Sequence, residues 1–77
     1  MTEDTWGSVQ NDLLKTVGQN NYLTWIEPLK FTDCHEGVVR FEAPSNFVGN
    51  WVARNYRDDI LQHLQNQLWY LTTLSHL

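Results

Sequence analysis

A chain of 77 residues has material for one domain, and with 42% hydrophobic and 18% charged residues that domain is a folded one and not a disordered segment. Five Lys and Arg against nine Asp and Glu leave a net charge of −4, which excludes nucleic-acid binding built on neutralising many phosphates. The single cysteine, Cys34, cannot form an internal disulfide, and no apolar run approaches the roughly 18 residues of a membrane span. A cytoplasmic domain held together by its core alone is therefore expected.

Thr2 caps a first helix with Glu3 and Asp4 in its first turn, and Trp6, Val9, Leu13 and Val17 recur at three- and four-residue steps until Gly18. Asn20 or Asn21 then caps a second helix carrying Tyr22, Trp25, Ile26 and Leu29, which Pro28 limits to about two turns. From Lys30 the period shortens to two. Residues 31–35 and 38–43, joined by Glu36-Gly37, read as a hairpin in which Val39, Phe41 and Ala43 face inward and Arg40 and Glu42 outward.

Pro44 stops the second strand, and Ser45 or Asn46 caps a third helix of about five turns marked by Phe47, Val48, Trp51, Val52, Tyr56, Ile60 and Leu64. Gly49 is read as tolerated inside it. Residues 68–74, rich in aromatic and β-branched types, read as a final strand. The order helix-helix-strand-strand-helix-strand gives a two-layer α+β domain with a three-stranded sheet.

Neither GxxxxGK[ST] nor GxGxxG occurs, so no nucleotide-cradling loop is expected. His35, His63 and His76 do not pair at the i, i+4 step, and Cys34 has only His35 beside it. No catalytic, cofactor or metal site is assigned. Trp25 and Trp51 are read as core. Trp6, in the first turn, divides between core and an apolar patch presented to a partner, and Phe47 between stapling the third helix and projecting from it. Arg54 and Arg57 form a modest basic spot, although Asp58 lies where a local ion pair with Arg54 is the plainer expectation.

The runs Tyr22-Leu23-Thr24-Trp25-Ile26-Glu27-Pro28-Leu29 and Ala43-Pro44-Ser45-Asn46-Phe47, with Asn50-Trp51-Val52, Tyr56, Trp6 and Leu13, resemble the amino-terminal domain (domain I) of the bacterial chromosomal replication initiator DnaA. The similarity extends over residues 6–64. It implies a KH-like fold and a non-enzymatic assembly module of DNA replication initiation. Such a module associates weakly with itself, binds the replicative helicase and regulatory proteins, and has low affinity for single-stranded DNA. ATP is then expected only in a separate domain of the parent protein.

By the same resemblance Trp6 falls on the tryptophan of self-association, and Phe47 on the aromatic of helicase and single-strand contact. Asn21 stands where many members carry an acidic residue used toward helicase or regulators. Asn50 replaces a frequent acidic residue, and the usual Pro-Asn is Pro44-Ser45. The expectation is thus a weakly oligomerising interaction domain with a partly bare Trp6 and no membrane partner. The alternatives are a single-stranded DNA module using Phe47, Arg54 and Arg57, or a free-standing adaptor that regulates an initiator.

Overall fold

A computed structural model describes residues 3–75, so the expected cap Thr2 and His76 lie outside the described residues. Helix α1 (Glu3–Val17) turns Trp6, Val9 and Leu13 inward, as their spacing predicts. It ends at Gly18, whose φ of 89° favours a residue without Cβ. Helix α2 (Gln19–Asn21) starts there, with Gly18 at its cap and not the expected Asn20 or Asn21. The Asn21 side chain instead turns back, its amide donating to the Val17 carbonyl at 3.1 Å.

The chain then widens into a π-helical turn, Tyr22–Ile26, in which the Glu27 N–H reaches the Tyr22 carbonyl at 2.8 Å. Pro28 supplies the cause: it has no N–H to donate, and its ring opposes the carbonyl four residues back, so a regular α-helix cannot continue.

Strands β1 (Lys30–His35) and β2 (Val38–Glu42) form the expected antiparallel hairpin. Its two turn residues, Glu36 at φ 50° and Gly37 at φ 81°, are both left-handed, the geometry whose twist suits a two-residue connection. Thr32 falls at a register shift between Phe31 and Asp33.

The expected single third helix is two helices, α3 (Asn46–Asn55) and α4 (Arg57–Gln67), broken at Tyr56 with φ −126° and ψ −4°. Hydrogen bonding runs through the break, Tyr56 N–H to Val52 and Ile60 N–H to Tyr56, so the break redirects the axis without ending the helical chain. The redirected α4 lays Ile60 and Leu64 in the same core as Val9 and Leu13, a packing demand invisible in the periodicity. Ser45 is the cap at the other end: its hydroxyl accepts from the Val48 N–H at 3.2 Å.

The final strand is shorter than residues 68–74. Only β3 (Thr73–Ser75) pairs, parallel to β2, giving a mixed sheet of order β1-β2-β3. The preceding residues are needed for the crossover from α4: Leu71 donates to Leu68 and is buried, and the Thr72 N–H donates to the Gly37 carbonyl at 2.8 Å. Helices cover one face of the sheet through Val39, Phe41 and Leu74, which makes the α+β class read from the sequence the one observed. No polar residue is buried in this core among the described residues.

Candidate interaction surface

Trp6 does not project. Its indole is 5% exposed and lies against Phe41, ring centres 4.5 Å apart, which corrects the expectation of a partly bare ring. The physical reason is the sheet: the first turn of α1 does not run past the body, because Phe41 of β2 reaches up to meet it. Only the rim of Trp6 borders a small groove of about 310 Å³ shared with Gln10, Leu29, Lys30 and Phe31.

Phe47, unlike Trp6, projects, at 68% exposure. It is not isolated. Trp25, from the π-helical turn, faces it with ring centres 5.8 Å apart, and the other side of the group is Trp51, stacked on Trp25 at 4.8 Å and 17°. Trp51 is 41% exposed and Trp25 half-buried, so the reading of Trp51 as core is corrected and Trp25 packs only at the margin. Helix α3 carries two apolar rows at the i, i+4 step. Val48 and Val52 take the row against the core, and the second row, Phe47 and Trp51, is left for Trp25 and solvent. Of the two readings of Phe47, stapling the helix start or projecting from it, projection is the one observed, and the ring joins this three-ring cluster.

The basic spot separates into two unlike residues. The Arg57 guanidinium donates to Thr73 Oγ1 at 2.6 Å and to the Leu74 carbonyl at 2.9 Å, binding α4 to β3, so Arg57 is a structural tie and not a free cation. Arg54 is exposed and makes no hydrogen bond or ion pair among the described residues. The expected partner Asp58 lies beyond the break at Tyr56, where the i, i+4 geometry no longer holds. On α3, Phe47, Trp51 and Arg54 fall at i, i+4 and i+7, which is one stripe. Asn21 is exposed and held by its bond to Val17, one helical turn before Trp25.

A larger open groove, about 610 Å³, runs along the neighbouring side of α3 between Asn46, Gly49 and Asn50 and the strand residues Arg40 and Glu42. Its one cation, Arg40, lies 3.7 Å from Asp33. Among the described residues no group of His, Cys, Asp and Glu could hold a metal ion, and no helix is long and apolar enough to cross a membrane. A second aromatic corner went unread in the sequence: Trp69, 86% exposed, meets Tyr70 edge-on at 6.0 Å. Nothing in a strand-like run signals that its aromatics will occupy a crossover.

Comparison with known proteins gives these residues a context. The DnaA N-terminal domain family matches residues 3–66, which include α1, the three-ring cluster and Arg54. The chromosomal replication initiator protein DnaA of Roseobacter denitrificans is 51% identical over 67 residues, 87% of this chain and 15% of the relative. That of Ruegeria pomeroyi is 53% identical over 66 residues, 86% and 14%. The more distant DnaA of Geobacter sulfurreducens retains 34% identity over 64 residues, 83% and 14%. The chain thus spans about 15% of the length of the curated relatives it matches. On a match covering α1 to α4, it belongs to the DnaA N-terminal domain family.

Proposed function

We propose that this chain is a non-catalytic interaction domain of a replication initiator, acting in the cytoplasm at the origin. In this reading it brings initiator copies together weakly and contributes to recruiting the replicative helicase and regulators. The supporting observation is the Phe47–Trp25–Trp51 cluster: three rings share one surface of a small domain whose remaining large apolar residues mostly close into a core. ATP chemistry, in this reading, belongs to another domain of a longer initiator.

Self-association through α1 then depends on Trp6 indirectly. Its ring, clamped on Phe41, sets where the exposed side of α1 stands. Weak pairing of this kind becomes effective when several copies are held on one origin, because each neighbour is present at high local concentration. Phe47 and Asn21 remain the proposed helicase and regulator contacts.

The experiment is binding of the chain to the replicative helicase of the same bacterium, by surface plasmon resonance, with sedimentation for self-association. Phe47→Ala should weaken helicase binding at least about tenfold with an unchanged circular dichroism spectrum. Equal binding by the variant would remove Phe47 from the contact, and no binding by the unaltered chain would remove the recruiting role.

A further inference from the structure

The α3 stripe carries a charge as well as rings, and the charge has no partner among the described residues. Phe47 and Trp51 are followed at i+7 by Arg54, exposed and unpaired among the described residues, about 10 Å along the axis from Phe47 at 1.5 Å per residue. The nearest carboxylate in sequence to Trp25, Glu27, lies beside the Tyr22 phenol. Asn21 on α2 and Asn46, Asn50 and Asn55 on α3 are exposed and uncharged, and the Asn55 amide donates to the Trp51 carbonyl at 3.0 Å.

We infer that this surface takes a protein segment with an apolar or aromatic anchor and a carboxylate about one or two helical turns away: the anchor covers Phe47 and Trp51, and the carboxylate meets Arg54. The inference rests on the reading of the cluster as an interaction site and adds the chemistry of what binds there.

Charge count decides between a protein segment and a nucleic-acid strand. A strand presents a phosphate at every nucleotide, and its affinity grows with the number of phosphates neutralised. This face offers one free guanidinium, because Arg57 is tied to β3 and Arg40 is beside Asp33, and the chain as a whole carries −4. One cation beside two apolar rings matches one carboxylate beside one apolar anchor. A guanidinium also holds a carboxylate through two parallel hydrogen bonds, which fixes the direction in which the segment lies.

The test is selection of a random peptide library on the immobilised chain, with the Phe47→Ala chain as counter-selection. The enriched peptides are then titrated by fluorescence anisotropy against unaltered, Arg54→Lys and Arg54→Glu chains at low and high salt. Both substitutions lie on an exposed side chain and leave the core untouched. Enriched peptides should combine Leu, Phe or Trp with Asp or Glu and lose about fivefold or more in affinity to Arg54→Glu. They should keep most of it with Arg54→Lys, and peptides with Lys in place of the acid should prefer Arg54→Glu.

Enrichment of basic peptides, no enrichment over the Phe47→Ala chain, or indifference to Arg54→Glu would each overturn the inference. So would oligo(dT) competing for the surface with the same sensitivity to Phe47 and Arg54, which would assign the stripe to single-stranded DNA. A chain that selects acidic peptides yet fails to hold the helicase leaves this inference standing and removes the recruiting role, so the two failures are distinguishable.

Discussion

Trp6 and Phe47 carry comparable apolar rings into opposite surroundings, and the consequences of removing them differ accordingly. Trp6→Ala should cost about 3–5 kcal/mol, because it empties a core position packed on Phe41, and that is comparable to the whole stability of a domain this small. Urea titration of the variant should show a largely unfolded chain. Phe47→Ala should change stability by less than about 0.5 kcal/mol, since the ring is mostly in water already. A loss of association in Trp6→Ala is therefore informative only beside a measurement of folding.

Two glycines form a second contrast. A Cβ at Gly49 would sit 3.4 Å from that of Ala43, an ordinary contact, so Gly49→Ala should stabilise α3 by roughly 0.5–1 kcal/mol. At Gly37 the φ of 81° and a Tyr70 carbonyl oxygen that would stand 3.0 Å from an added Cβ oppose any side chain, and Gly37→Ala should destabilise by about 1–3 kcal/mol in the same urea titration.

At the scale of elements, the least anchored piece is β3, three residues added to the sheet from the far end of a crossover. Arg57 is what ties it to α4. Arg57→Met keeps the aliphatic stem and removes both donors, leaving the Thr73 hydroxyl and the Leu74 carbonyl without them. The expected result is a loss of about 1–3 kcal/mol, with amide exchange accelerated first at Thr73 and Leu74. Unchanged exchange there would show that the parallel pairing with β2 suffices.

The elements also show where sequence reading stops. The α1 stripe, the hairpin with Glu36-Gly37 and the Ser45 cap follow from local periodicity and turn chemistry. The break at Tyr56 does not, because apolar spacing continues straight across it and the angle between α3 and α4 is fixed by what each must cover. Trp51 was misplaced for the same reason: spacing reports that α3 has a wide apolar face, not how much of that face the core has room for.

For the whole molecule, a helical layer on a three-stranded sheet closes a core with no buried polar or charged residue among the described ones. One partly buried group at the edge of that core gives stability a pH dependence. Burial first, and the Glu27 carboxylate second, push the Tyr22 phenol above its ordinary value of 10.0. A group that holds its proton more tightly when folded contributes its full stability below the unfolded pKa and loses it as pH rises through the folded one. Stability should therefore fall as pH climbs above about 10, and Tyr22→Phe should flatten that fall in thermal melts recorded across the range.

The sequence by itself determined the α+β class, nearly all the element order and the family, because these rest on repeating apolar steps, glycine and proline positions, and motif runs that each occupy a few neighbouring residues. Tertiary structure alone decided which aromatics face water and which cation is free. Burial of Trp6, exposure of Trp51 and the engagement of Arg57 all depend on partners 16 or more residues away in the chain, and no local pattern encodes which of two apolar rows will find the sheet.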